Sequence, residues 1–145
     1  MKKAKPCKAD RCLWIIIPAV ILIDQLTKYF FSGADIQIIK NVFYFNYVCN
    51  TGAAFSILQN MNVYLIWFSL IVLGLIIYFY PNVKRKCDKI AVFFIVSGIM
   101  GNLIDRISFG CVRDFMDFRI WPVFNIADSA LVVGVMLLIF YSFQE

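Results

Sequence analysis

Eighteen consecutive residues, Val63 to Tyr80, carry no charge. A helix that crosses a bilayer needs ~20 apolar residues, with a working range of ~17–25, so this run points to lipid as the solvent. Three further stretches join it. Leu13 to Phe31 covers 19 residues and Val123 to Phe143 covers 21, while Ile90 to Ile104 has only 15 before Asp105 and Arg106. Spans are therefore expected at 13–31, 63–80, 90–108 and 123–143, the third with its charged end at the interface or inside the bundle. Composition agrees: 62% of the 145 residues are hydrophobic and 16% charged, against ~45–50% apolar and ~25% charged in soluble domains. One core of this size cannot hide such an excess. The expected fold is an all-α integral membrane protein, one domain over 1–145, with four transmembrane helices.

The net charge of +5 is placed for orientation rather than for nucleic acid. Lys2, Lys3, Lys5, Lys8 and Arg11 precede the first span, and Lys84, Arg85, Lys86 and Lys89 fill the link between the second and third. The loop from Ser32 to Asn62 has only Lys40. By the positive-inside rule both basic clusters are cytoplasmic, and four spans return the C-terminus to that side. Arg106, Arg113 and Arg119 break the pattern, standing on the outer side among Asp105, Asp114 and Asp117. Such a mixture reads as a functional cluster with a wet edge.

A cleaved signal peptide is the rival reading of residues 1–34, but its apolar run is long and is interrupted by Asp24 and Lys28. The outer loop, 33–60, has a strand-rich core from Val42 to Val48 and ends in the turn Asn50-Thr51-Gly52. A small β-patch is expected there, on the outer membrane surface. Histidine is absent, which removes His-based zinc sites and Ser-His or Cys-His catalysis. The five cysteines have no metal-binding spacing. Cys49 and Cys111 both fall on the outer side and are expected to be free thiols.

An ionisable group within a span is costly and marks a candidate site. Asp24 and Lys28 stand i,i+4 on one helix face and read as a structural pair. Gly98, Asn102 and Asp105 form one stripe of the third span, flanked by Gly101 and Arg106. Small residues there admit a close backbone, and the amide and carboxylate can hydrogen-bond into it. Asn125, Asp128 and Ser129 share a face of the fourth span, with Asn125 also placed to end the helix after Pro122. Asp128 has no basic residue within four positions, so its partner must come from elsewhere. The short link between the third and fourth spans brings Asp114 near it. Asp117 is a rival farther along a loop, expected to be solvated. Two carboxyls held together at low dielectric cannot both ionise easily, so one serves as general acid and the other as base.

The motifs Asp24-Gln25-Leu26-Thr27-Lys28, Asn50-Thr51-Gly52-Ala53-Ala54-Phe55-Ser56, Gly101-Asn102-Leu103-Ile104-Asp105-Arg106, Asp114-Phe115 and Phe124-Asn125-Ile126-Ala127-Asp128-Ser129 occur in the order seen in lipoprotein signal peptidase, signal peptidase II. The chain resembles that family over nearly its whole length. The resemblance implies a bacterial cytoplasmic-membrane aspartyl endopeptidase with both termini inside and its site near the outer face. Its substrates would be diacylglyceryl-modified prolipoproteins, cut just before the lipidated cysteine, and membrane lipid would surround it. Catalysis falls on Asp114 and Asp128, with no metal or other cofactor. Asn102, Asp105, Arg106 and Asn125 correspond to positions that shape the site and hold substrate or the peptide antibiotic globomycin. Asn50 and Gly52 belong beside them, with Asp24, Lys28, Gly98 and Gly101 in support.

The chain departs from the family pattern at Ser97-Gly98, at Arg113 before Asp114, in a shorter link from Asp114 to Asp128, and in lacking a basic tail. Read from the residues without the resemblance, a small proton- or cation-coupled carrier using Asp24, Asp105 and Asp128 stands level with a peptidase. Proton uptake into liposomes would mark the carrier. A scaffold protein with polar seams is a third reading, marked by variants of Asp114 and Asp128 that leave lipoprotein maturation unchanged.

Overall fold

The computed structural model describes residues 13–52 and 59–143; the basic cluster at 2–11, the motif positions Ala53 to Ser56, Cys7, Cys12 and the C-terminal Gln144-Glu145 lie outside them. Four α-helices, α1 (Ile16–Phe30), α2 (Asn62–Phe79), α3 (Lys86–Phe109) and α4 (Ile126–Ser142), stand with a three-stranded sheet among these residues. The strands are β1 (Asp35–Ile39), β2 (Phe43–Asn50) and β3 (Val112–Asp117). The helices Asn62–Asn82, including a closing 3-10 turn, and Lys86–Phe109 are long and apolar enough to cross a membrane, while Ile126–Ser142 is apolar and shorter.

The bundle buries charged and polar side chains beside a few apolar ones, and its outer surface is apolar. The only buried side chains of α1 are Asp24 and Lys28, whereas Leu22 is 59% and Ile23 52% exposed. α2 buries nothing, and presents Trp67, Phe68, Ile77 and Tyr78 outward. A water-soluble chain exposes no such continuous apolar surface.

Where the driving force between helices is packing rather than water exclusion, small residues set how closely they approach. A β-carbon on Gly98 would collide with the Ala127 carbonyl and lie 2.8 Å from Leu131 Cβ, and one on Gly101 would lie 2.8 Å from Asp24 Oδ2 and 2.9 Å from Ala127 Cβ. Gly134, which pattern reading passes over, packs as tightly: its β-carbon would stand 2.7 Å from the Ala91 carbonyl. These three glycines let α3 meet α1 and α4 almost backbone to backbone. Gly98→Val should therefore cost about 1–3 kcal/mol through overpacking. Thermal unfolding in detergent checks this, with Gly74→Val, which meets nothing within 4 Å, as the silent comparison.

The sheet runs antiparallel in the order β1-β2-β3. β3 is not foreseen in the sequence. Its strand conformation comes from pairing with β2, Val48 opposite Asp114 and Asn50 opposite Val112. Gly110, in the left-handed region at φ 74°, ends α3 and turns the chain into this strand. Beneath the sheet Phe31 stacks on Phe45 at 4.0 Å and on Phe115 at 5.0 Å. α4 starts at Ile126 rather than at 123, because the Phe124 carbonyl is engaged by the backbone N–H groups of Phe115 and Met116.

Candidate active site

Asp114 leaves β3 on the face opposite its neighbours Arg113 and Phe115, as strand alternation requires. It is 2% exposed. Its Oδ1 accepts from Asn125 Nδ2 at 2.6 Å and its Oδ2 from Asn50 Nδ2 at 3.1 Å. Asp128 sits in the first turn of α4, whose N-cap is Asn125. The two form a capping box: Asp128 N donates to Asn125 Oδ1 at 2.9 Å and Asn125 N to Asp128 Oδ2 at 3.1 Å. That reciprocal pair satisfies two otherwise orphaned donors and locks the carboxylate's direction. The other oxygen, Oδ1, accepts from Asn102 Nδ2 at 2.7 Å.

Two amides thus join the carboxyls. Asn125 Nδ2 reaches Asp114 and also Asn102 Oδ1 at 3.1 Å, while Asn102 donates to Asp128. Lys28 Nζ donates to Asn102 Oδ1 at 3.0 Å, which fixes the orientation of that amide. Asp114, Asp128, Asn50, Asn102 and Arg106 line one cavity of about 560 Å³ whose remaining wall is apolar, including Trp121 and Leu131. Burial, and then the nearby charge of Asp128, push the Asp114 carboxyl up to about 7. Arg106 sends Nη2 to the Gly52 carbonyl at 3.1 Å, and Gly52 N in turn donates to Asn50 Oδ1 at 3.0 Å. Arg106 Nε is buried without a partner among the described residues.

The other charged residues build a separate layer. Lys28 pairs with Asp24 at 2.8 Å and with Asp105 at 3.2 Å, all three fully buried. Asp105 also receives Arg113, at 2.8 Å from Nη2 and 2.9 Å from the backbone N. Charges alternate through this chain and cancel. Gln25, not singled out in the sequence, closes it: Nε2 reaches Asp24 and Asp105, and Oε1 accepts from Arg113 at 2.8 Å. Its one signal was an amide beside an intramembrane charge. Asp24 Oδ1 accepts from Ala127 N at 2.8 Å, a carboxylate set at the N-terminus of α4 where the helix dipole favours it. Asp24, Lys28 and Asp105 do not line the cavity.

Three expectations need correction. Asp117 is not solvated: it is 5% exposed, accepting from Arg119 N at 2.8 Å and Asn46 Nδ2 at 3.3 Å. The mixed-charge segment 105–119 is not one wet edge, since Asp105 and Arg113 are buried in the ion layer. Cys49 and Cys111 are not free thiols; they form a disulfide. Among the described residues no cluster of His, Cys, Asp or Glu is placed to hold a metal ion.

Residues 16–144 match the family model for signal peptidase (SPase) II. The chain belongs to the signal peptidase II family. It is 43% identical to the lipoprotein signal peptidase of Halothermothrix orenii over 92% of this chain and 96% of that one. Identity to the Microcystis aeruginosa lipoprotein signal peptidase is 42%, covering 95% and 96%. Two solved structures of bacterial membrane enzymes share the fold at 29% identity: one has a TM-score of 0.84 over 99% of this chain and 93% of the other. The second scores 0.81 over 100% and 99%. A signal peptidase II is a hydrolase of the aspartic protease type, a membrane enzyme of lipoprotein processing.

Proposed function

We propose that the chain is an intramembrane aspartyl endopeptidase that removes signal peptides from diacylglyceryl-modified prolipoproteins, cutting just before the lipidated cysteine. The observation that carries this is the joining of Asp114 and Asp128, through Asn125 and Asn102, on the wall of one cavity. The ionised carboxyl takes a proton from water, and the water attacks the carbonyl preceding the cysteine. The protonated carboxyl donates to the carbonyl oxygen. Collapse of the tetrahedral species passes a proton to the leaving amine. The shared proton belongs to the pair, not to either residue. Asn102 and Asn125 orient the carboxyls, Asn50 and Gly52 shape the mouth, and Arg106 Nε offers its spare N–H to a substrate carbonyl. Asp105, with Asp24, Lys28, Gly98 and Gly101, supports the site from behind.

The same reading places four spans in the bacterial cytoplasmic membrane as one domain, both termini inside and the sheet outside. The apolar belt around the helices supports it, as does the Lys/Arg asymmetry of the links. A lipidated substrate then reaches the cavity sideways from the bilayer, and globomycin-type peptides compete for it. In cells stripped of their own lipoprotein signal peptidase, expression of this chain should restore maturation, and globomycin should block it. Persistent uncleaved, lipidated precursor at normal expression would contradict the proposal.

One consequence concerns pH. The acid form of the pair exists only while Asp114 and Asp128 share a proton, and burial with the charge of Asp128 pushes the Asp114 carboxyl up to about 7. As pH rises through that value the proton is lost, so kcat/KM should fall by about tenfold per unit on the alkaline side. The Asn50 amide favours ionised Asp114; Asn50→Ala should move that limb to higher pH. A pH profile of cleavage in bilayers reads both.

A further inference from the structure

The Cys49–Cys111 disulfide lies beside the catalytic strand pair and has no part in the chemistry above. Cys49 immediately precedes Asn50, whose Nδ2 holds Asp114 at 3.1 Å. Cys111 stands between the Gly110 turn that ends α3 and the first residue of β3. The two cysteines are 62 positions apart, with α-carbons at 5.5 Å. Cys49 opposes Arg113 in the sheet register, so the bridge crosses the β2–β3 pair diagonally at the end nearest the cavity. Beyond it β2 has only Asn50 before the strand ends. There the Asn50–Val112 pairing, the Asn50–Asp114 hydrogen bond and the Arg106–Gly52 hydrogen bond hold the chain. A covalent tie at that point removes the freedom of β2 to peel from β3. Cys111 is 2% exposed but Cys49 is exposed, so a reductant reaches the bond from the Cys49 side.

We propose that this disulfide is a positioning element for the peptidase site: oxidised, it holds Asn50 on Asp114; reduced, it releases the end of β2 and activity falls. The inference rests on Asp114 being catalytic. It also places a thiol oxidation ahead of lipoprotein processing. A disulfide-donating thiol oxidase would exchange with the pair, so that the two thiols become one disulfide and the donor's disulfide becomes a dithiol, with atoms and electrons balanced.

The test uses the full-length enzyme with Cys7, Cys12 and Cys87 changed to Ser, so that Cys49 and Cys111 supply the only thiols. Alkylation without reduction should label neither; after treatment with a phosphine reductant it should label both. Cleavage of a diacylated prolipoprotein peptide is measured before reduction, after it, and after reoxidation. Misplacement by about 1 Å can cost as much as about 10²-fold, and a reversible loss of about tenfold in kcat/KM is expected here. Loosening Asn50 should also shift the alkaline limb upward, because that amide favours ionised Asp114. The charged groups facing Asp114, namely Asp128 on α4, Lys28 on α1 and Arg106 on α3, stay in place in both states. Cys49→Ser/Cys111→Ser should match the reduced enzyme and ignore reductant. If both thiols are free in the isolated protein, or if kcat/KM and the limb do not move on reduction, the proposal is overturned, whatever happens to melting temperature. Asp114→Asn separates the two readings. If it keeps full activity, the catalytic reading fails; if it is dead while reduction changes nothing, only the positioning role fails.

Discussion

Asp114→Asn and Asp128→Asn should each lower turnover of a lipidated precursor by ~10²–10⁴-fold, the range for losing one general acid or base. An amide keeps the size of the carboxyl and can still accept from Asn125 or Asn102, but it cannot take the water's proton or share one. In the proposed mechanism the two carboxyls act as a unit, so the double variant should be scarcely slower than either single one. Stability should move the other way for Asp114. Burial and the charge of Asp128 oppose its ionisation, so a neutral amide should leave the melting temperature unchanged or higher, as when a strained functional group is removed. Asp117→Asn is the internal control. Asp117 is buried as well, but it points to Arg119 and Asn46 rather than into the cavity, and its variant should keep most activity. Robust cleavage by Asp114→Asn would end the assignment.

The second large effect lies in the ion layer. Asp24→Asn removes one charge from the chain Asp24–Lys28–Asp105–Arg113, in which Asp24, Lys28 and Asp105 are fully buried. Breaking such a pair by removing one partner costs about 3–5 kcal/mol, because the remaining charge is left buried and under-compensated. The loss should show as lower yield and lower thermal stability in detergent, with turnover per folded molecule largely retained, since Asp24 does not line the cavity. Lys28→Met should lose both. It uncovers Asp24 and Asp105, and it removes one of the two donors, Lys28 and Asn125, that orient the Asn102 amide aiming Asp128. A folded Asp24→Asn enzyme with no turnover would instead place Asp24 in the reaction.

What the sequence made legible follows from which interactions are local. Helix positions come from runs of apolar residues, and the bounds differ by a few positions. α3 begins at Lys86 rather than 90, since a basic first turn at the interface carries no hydropathy signal. The β-patch was legible in Val42 to Val48 because strand-forming side chains cluster there, and β2 runs from Phe43 to Asn50. Val112 to Asp117 was not: three charges in six residues read as a loop, and the strand exists only because β2 pairs with it. The same nonlocal pairing hid the disulfide. Asp24 with Lys28 could be read from i,i+4 spacing, but Arg113 with Asp105 needs the αL turn at Gly110 to fold β3 back over the end of α3. Asn125 was legible as a helix end, and its second task, donating to Asp114, was not.

The most direct measurement is mass mapping of the products when purified protein, in lipid, meets a diacylglyceryl prolipoprotein peptide and its unlipidated twin. One new N-terminus is expected, at the lipidated cysteine, with the unlipidated peptide left intact. Cleavage of both peptides alike, cleavage at another bond, or no cleavage by well-folded protein would contradict the proposed function.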